Sequence, residues 1–225
     1  MTDMPALLEK INPWLARQHA EKYQVKSLQS ANGGYSNITL VGELTHHQGK
    51  GHSGIVVRIQ PEGAAVFPDC DVRAQYQTMH LLKQAGLPLP SLLGLEMDAS
   101  ILGAPFFVMS RVEGQVPNEN PLYHLEGWFH DLKPDAIKQC WFSGIEGLAK
   151  LAKLDWQTAG FQFLLPPKEQ SALEHQIQYY ENMLRWSEQL SGKRYALLDR
   201  CLNWLHANQP TSDALSLSWG DAKLG

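Results

Sequence analysis

The chain has 225 residues, of which 44% are hydrophobic and 19% charged, and its formal net charge is −4. This composition can build the core of one large domain or two small lobes, so it excludes a disordered chain. The charge leaves no strong basic field for binding nucleic acid. The longest apolar stretch, residues 101–109, is too short for a membrane-spanning helix, which needs about 20 apolar residues.

The N-terminus and the cysteines favour a cytoplasmic protein. Residues 1–9 lack the basic and then apolar pattern of a secretory signal. Cys70, Cys140 and Cys201 are odd in number and lie far apart, which favours reduced, mostly buried thiols over a disulfide framework or a zinc site. We therefore expect a cytoplasmic location.

The first half of the chain predicts a mostly antiparallel sheet with one inserted helix. The predicted elements are a helix at 5–19, strands at 24–30, 35–44 and 55–59, a helix at 71–85, strands at 92–97 and 106–112, and turns at 46–54 and 98–100. Strand-like runs separated by turn residues are typical of antiparallel hairpins. The helix at 71–85 carries Val72, Tyr76 and Met79 on one face, and Gly86 suits the position just after its end.

From residue 113 onward the pattern becomes helical. Apolar residues at helical spacing predict one helix beginning near Pro134, a second around 173–184 and a third around 198–205, and Ala214 to Trp219 predicts a short strand. Strands first and helices later predict an α+β chain in two lobes, with domains at 1–112 and 113–225.

Four strings in a fixed order carry a resemblance to a known family. They are Gly33-Gly34-Tyr35-Ser36-Asn37-Ile38-Thr39, Val56-Val57-Arg58, the stretch 102–109 followed by Val112-Glu113-Gly114, and Trp219-Gly220-Asp221. Together they resemble the aminoglycoside phosphotransferase family, and within it the kinase-like domain fused to some acyl-CoA dehydrogenases. The resemblance implies a protein-kinase-like two-lobe fold whose helical C-terminal lobe is incomplete in this chain.

The resemblance also implies a nucleotide loop. Gly33 and Gly34 would let backbone amides approach the phosphates closely, and the Ser36 hydroxyl would add a donor. Taken alone, Gly33 and Gly34 favour a hairpin turn, and the other strings reverse this preference. The stretch Ser110, Arg111 and Val112 would be the hinge whose backbone groups pair with the adenine edge.

Arg58 would take the place of the family's strand lysine, because a guanidinium binds phosphate bidentately. Its usual partner is a carboxylate on the following helix, and that position falls on Gln75, with Asp71 as the other nearby candidate. The uncharged Gln75 puts the usual ion pair in doubt. The alternative for Arg58 is a solvent-exposed position on an edge strand.

The resemblance implies that Asp221 accepts the proton of the substrate hydroxyl or orients that hydroxyl. Trp219 replaces the family's usual histidine, and Lys223 is expected to be solvated. No metal ligand is predicted within the chain. The asparagine and aspartate that hold magnesium in the family would lie beyond Gly225, so we expect an incomplete kinase that does not turn over ATP.

The main functional hypothesis is therefore a small-molecule kinase that moves the γ-phosphate of ATP or GTP, with magnesium, to an alcohol. The alternatives are a non-catalytic module that binds a nucleotide or acyl-CoA, and a fragment without function whose exposed apolar surface leads to a homodimer. No nucleic acid or membrane partner is expected. Three histidines, His46, His47 and His52, favour a polar loop over a metal site.

Overall fold

The computed structural model describes residues 4–19, 22–31, 37–46, 51–61, 70–168, 170–211 and 214–224. The helices are α1 (Met4–His19), α2 (Val72–Gln84), α3 (Ala99–Leu102), α4 (Pro134–Ala152), α5 (Ala172–Ser191) and α6 (Ala196–Ala207), with a 3₁₀ turn at Phe161–Leu164. The strands are β1 (Tyr23–Ser30), β2 (Ile38–His46), β3 (His52–Ile59), β4 (Leu92–Glu96) and β5 (Phe106–Ser110). The α+β prediction, with the sheet first and the helices after it, is confirmed.

The five strands form one sheet in the order β1-β2-β3-β5-β4, and every neighbouring pair is antiparallel. The predicted hairpins are therefore confirmed. Strand β3 lies at the centre of the sheet, with Arg58 opposite Thr39 of β2 and Phe107 of β5. Arg58 is accordingly on a central strand, and the edge-strand alternative for it is wrong.

Helix α1 covers one face of the sheet and supplies much of the core. Ile11, Trp14 and Leu15 are almost fully buried, and the Trp14 ring meets Phe106 edge-on with 4.9 Å between centroids. The Asn12 side chain forms hydrogen bonds with both backbone groups of Val25 in β1: its Oδ1 accepts from the Val25 amide at 2.8 Å, and its Nδ2 donates to the Val25 carbonyl at 3.1 Å. Val25 borders the bulge in β1, an edge strand of the sheet, and the Asn12 side chain satisfies its backbone groups.

Helix α2 begins directly after Asp71 and ends shortly before Gly86, as the types of these two residues predict. The Asp71 carboxylate accepts hydrogen bonds from the amides of Arg73 and Ala74, which fixes the first turn. Gly86 follows the helix with φ of +83°, a left-handed conformation that glycine adopts without steric cost. The residues at its two ends thereby set the length of α2.

The helical half of the chain buries few side chains. Its core residues among those described are Phe129, Leu151, Phe161, Ile177 and Leu202, together with the side chain of Glu188. Many large apolar side chains of this half are exposed, among them Trp141, Phe142, Ile145, Tyr180, Leu197 and Trp204. None of the described helices is long and apolar enough to cross a membrane.

Several local predictions are wrong. Residues 214–219 form no strand, because no described strand offers hydrogen bonds to this stretch. Residues 99–102 form the short helix α3, since the Asp98 carboxylate accepts a bond from the Ser100 amide and caps its start. The turn predicted at 46–54 is shorter, because β2 and β3 extend to His46 and His52.

The three thiols are also more accessible than predicted. Cys70 and Cys140 are half-buried and Cys201 is exposed, because the last two lie on helices with thin cores.

Candidate functional site

Three polar side chains from separate elements meet on one side of the sheet, and we call them the Arg58 cluster: Arg58 of β3, Gln75 of α2 and Asn37 just before β2. The Gln75 Oε1 atom accepts from Arg58 Nη1 and from Asn37 Nδ2, both at 3.3 Å. Two donors from the sheet thus converge on one oxygen of the helix.

Packing of α2 on the sheet explains why Gln75 reaches Arg58. Tyr76, the next residue of α2, meets Phe107 of β5 edge-on with 6.0 Å between ring centroids. Phe107 is the neighbour of Arg58 across the ladder. Asp71, the other candidate partner for Arg58, uses its carboxylate to cap α2 instead.

The Arg58 cluster carries one charge that no described side chain neutralises. Burial lowers the pKa of the Arg58 guanidinium below its ordinary value, and burial is the only cause of the change. Two atoms of the cluster, Arg58 Nε and Asn37 Oδ1, are buried without a partner among the described residues. Buried polar atoms of this kind are costly to leave unbonded.

The predicted hinge follows β5. The Ser110 amide donates to the Ser91 carbonyl at 2.8 Å, and the Arg111 amide donates to the Gly54 carbonyl at 2.8 Å. These two amides are therefore occupied inside the sheet. In the part of the chain that the structure describes, the amide of Val112 has no partner and its side chain is 67% exposed. Among the three predicted hinge residues, Val112 has the amide that makes no backbone hydrogen bond within the described residues.

The Arg111 side chain is exposed and passes close to Gly54 of β3. Its Nε and Nη2 atoms donate to Glu113 Oε1 at 3.0 and 2.8 Å. A Cβ atom at Gly54 would collide with this side chain, so the close approach requires glycine there.

Asp221 lies in an exposed stretch near the end of the described chain. Gly220 before it has φ of +79°, and the Ala222 amide after it donates to the Gly220 carbonyl at 3.0 Å, which makes a tight turn. Lys223 forms an ion pair with Glu119, which raises the pKa of the lysine above its ordinary value, and the Asp221 charge adds to this effect. Lys223 is exposed, as expected, and its ion pair with Glu119 also connects the turn at Asp221 to the residues that follow the predicted hinge.

An apolar cleft of about 390 Å³ separates α2 from α4 and was not predicted. Its walls include Thr78, Leu82, Leu87, Leu151, Phe161 and Trp219. Thr78 is three residues after Gln75 on α2, and Trp219 is two residues before Asp221. The cleft therefore connects the element that carries Gln75 with the turn that carries Asp221.

The structure brings together only part of the predicted site. Gly33, Gly34 and Ser36 lie outside the described residues. The contact of Asn37 with Gln75 was not predicted, although Asn37 belongs to the glycine-containing motif that carries the family resemblance. No pattern in the sequence indicated the ion pair of Glu119 with Lys223. Within the described ranges, no group of three or more His, Cys, Asp or Glu residues is placed to hold a metal ion.

Comparison with known proteins decides the family. The model of the phosphotransferase enzyme family, APH, matches residues 27–225. The chain belongs to this family. The resemblance to aminoglycoside phosphotransferases is thereby confirmed, and with it a fold and family typical of small-molecule phosphotransferases.

The relatives include proteins with much longer chains. Acyl-CoA dehydrogenase family member 10 of Mus musculus is 25% identical over 191 residues, 85% of this chain and 16% of its own length. Acyl-CoA dehydrogenase family member 11 of Rattus norvegicus is 24% identical over 227 residues, 99% of this chain and 26% of its own length. The chain thus spans about a quarter or less of these curated relatives.

A solved structure supports the fold. The crystal structure of a protein from Ralstonia eutropha, assigned as an aminoglycoside phosphotransferase, matches with a TM-score of 0.65 and 22% identity. The match covers 96% of this chain and 58% of that chain. The kinase-like fold predicted from the sequence is confirmed.

Proposed function

We propose that the protein binds ATP or GTP at the Arg58 cluster and belongs to an enzyme that moves the γ-phosphate to a hydroxyl of a small molecule. The contact of Arg58 with Gln75 carries this proposal, because it places between the sheet and α2 a guanidinium that forms no ion pair with any of the described residues. A guanidinium with open donors is well suited to phosphate oxygens. Membership of the phosphotransferase enzyme family supports the reaction class.

The remaining predicted residues take roles around that contact. Residues 1–112 would form the nucleotide-binding lobe and 113–225 the helical lobe that receives the acceptor. Gly33, Gly34 and Ser36 would form the nucleotide loop that binds the phosphates. The backbone amide of Val112, an exposed residue, would donate a hydrogen bond to the adenine edge.

In the proposed reaction the acceptor oxygen attacks the γ-phosphorus, the bond to the β-phosphate oxygen breaks, and the hydroxyl proton passes to the Asp221 carboxylate. The exposed position of Asp221 leaves its oxygens accessible to an acceptor. Magnesium, when bound, would neutralise charge on the phosphoryl group. The described residues supply positioning and the proton acceptor.

Calorimetry of nucleotide binding tests the role of Arg58. Loss of charge-assisted bonds worth about 1.5–3 kcal/mol predicts that Arg58→Ala weakens MgATP binding by about 10- to 100-fold. Arg73→Ala is the matched control, because Arg73 is an exposed arginine of the same helix as Gln75 and only its backbone takes part in the α2 cap. Unchanged affinity in a folded Arg58→Ala variant would remove the basis of the proposal.

Release of ADP in the presence of MgATP and a panel of alcohols tests catalysis. Magnesium-dependent release of ADP that requires one of these alcohols would support the proposed transfer. Where turnover is found, Asp221→Asn should abolish it while leaving the Kd for MgATP unchanged, since Asp221 acts on the acceptor and not on the nucleotide.

A binding module is the second candidate function, and the neutral Gln75 favours it. Kinases of the related fold use a carboxylate at the helix position to hold the strand lysine for catalysis. Coenzyme A carries an adenine and a diphosphate, so it serves as the probe for acyl-CoA binding. Binding of coenzyme A more tightly than ATP, with no phosphate transfer, would favour this second function.

A further inference from the structure

An ion pair joins the turn that carries Asp221 to a distant part of the chain. Lys223 in this turn pairs with Glu119, which lies 104 positions earlier, in the segment that follows the predicted hinge. Apart from this pair, residues 215–224 form no hydrogen bond or ion pair with the other described residues. Among the polar contacts of the described chain, Lys223–Glu119 is therefore the one that holds the turn to the rest of the structure.

Each partner of the ion pair lies in a locally ordered segment. In the C-terminal turn, Gly220 has φ of +79° and its amide donates to the Ser218 hydroxyl at 3.3 Å. In the segment after the hinge, the Trp128 indole nitrogen donates to the Val116 carbonyl at 3.2 Å, which closes the loop that contains Glu119. Because both backbones are already ordered, the ion pair has only to restrict two side chains in order to join the segments.

Lys223 lies between two carboxylates and pairs with the more distant one in sequence. Its pKa is raised chiefly by the hydrogen bond and the charge of Glu119, whereas the charge of Asp221 contributes less. Asp221 itself forms no hydrogen bond or ion pair with any described residue. Engagement of the lysine by Glu119 thus leaves the Asp221 carboxylate unpaired within the described chain, and a proton acceptor has to be unpaired to act.

We propose that Glu119 is a positioning residue for the transfer reaction, an inference that rests on the proposed function. Through Lys223 it holds the turn, and with it the Asp221 carboxylate, in one place relative to the segment after the hinge. It also keeps the lysine from pairing with Asp221. A proton acceptor works only within hydrogen-bond reach of the hydroxyl, so a carboxylate that is displaced or paired with the lysine lowers the rate of transfer.

The rate test measures kcat and KM for transfer from MgATP to an alcohol that the wild-type chain accepts. Glu119→Gln should lower kcat about two- to fivefold, as expected for loss of an exposed ion pair, and should leave the KM for MgATP unchanged. Adding Lys223→Gln to this variant should cost nothing further, because the glutamate acts through the lysine. Glu126→Gln is the matched control, because Glu126 is an exposed glutamate of the same segment whose side chain has no polar contact with the described residues.

The position of the turn is measured separately by ¹⁹F NMR of the chain labelled with 5-fluorotryptophan. Trp219 lies in the turn, and the variant Trp219→Phe assigns its resonance. Glu119→Gln and Lys223→Gln should each shift or broaden this resonance, and the double variant should do so no more than either single one. Glu126→Gln should leave it unchanged. Both partners of the ion pair are exposed, so these variants are expected to fold.

The outcomes separate this inference from the proposed function. A Trp219 resonance that Glu119→Gln leaves unchanged would overturn the inference and leave the proposed function standing, as would a wild-type kcat in that variant. Loss of kcat in Lys223→Gln without any loss in Glu119→Gln would show that the lysine acts on the substrates directly, which also overturns it. Absence of transfer by the wild type, together with the expected changes at Trp219, would count against the proposed function and support Glu119 as the residue that positions the turn.

Discussion

The contact between Trp14 and Gly94 allows a quantitative test of how α1 supports the sheet. Trp14 is 1% exposed, and a Cβ atom at Gly94 would lie 2.8 Å from its Cη2 atom. Gly94 also has φ of +150°, where side chains are strained. Gly94→Ala should therefore combine overpacking of about 1–3 kcal/mol with backbone strain of about 1–3 kcal/mol. Trp14→Phe removes the far ring edge and the 2.8 Å bond from the indole nitrogen to Glu96, at a cost of about 2–3 kcal/mol.

The two changes should not add, because phenylalanine leaves room for the new Cβ. In the Trp14→Phe background, Gly94→Ala should cost only the strain, which gives a coupling of about 1–3 kcal/mol. Urea denaturation of the wild type, both single variants and the double variant measures this coupling from the four free energies of unfolding. A Gly94→Ala cost that is the same in both backgrounds, within about 0.5 kcal/mol, would refute the packing explanation.

Two further predictions concern the helical half of the chain, and a third concerns the sheet. The Glu188 carboxylate accepts a hydrogen bond from the Tyr195 amide and forms ion pairs with Arg185 and Arg194, and these contacts lower its pKa. The ionised carboxylate therefore stabilises the fold at a pH above the pKa that Glu188 has in the unfolded chain. This stabilisation is lost as the pH falls through the lower pKa of the folded state. Glu188→Gln should therefore narrow the difference in Tm between neutral and acidic solution, and a Tm profile identical to that of the wild type would contradict this. Glu119→Gln should increase hydrogen exchange of residues 218–224 at low salt, because it removes the ion pair with Lys223, and high salt should produce the same increase in the wild type. Gly42→Ala should lower the free energy of unfolding by about 2–4 kcal/mol, because its Cβ would overlap the backbone of the bulged β1 strand; a loss below about 0.5 kcal/mol would show that the bulge yields easily.

The sequence predicted those features that depend on local chemistry. Helix α2 was placed to within a residue at either end, because Asp71 is a strong cap and Gly86 accepts a left-handed conformation. The antiparallel hairpins followed from strand-like runs and turn residues, and the position of Gln75 opposite Arg58 followed from family resemblance. The structure joins these two residues directly.

Features that depend on distant parts of the chain could not be predicted. Lys223 and Glu119 are 104 positions apart, and an exposed ion pair leaves no pattern in either neighbourhood. The stretch at 214–219 has residues suited to a strand, yet strands require a partner with open backbone groups, and none of the described strands supplies one. The cleft between α2 and α4 arises from how helices from two halves meet, which single-sequence periodicity does not encode.

Helix α2 links the two chemical ends of the candidate site. Its first half holds Gln75 against Arg58 and packs Tyr76 on β5, whereas its second half forms one wall of the cleft that Trp219 shares. Because a helix of 13 residues moves as a rigid rod, a shift of α2 toward α4 would narrow the cleft and change the Gln75–Arg58 distance together. If nucleotide binds at the Arg58 cluster as proposed, that binding is expected to be coupled through α2 to the position of the turn at Asp221, without direct contact between Arg58 and Asp221.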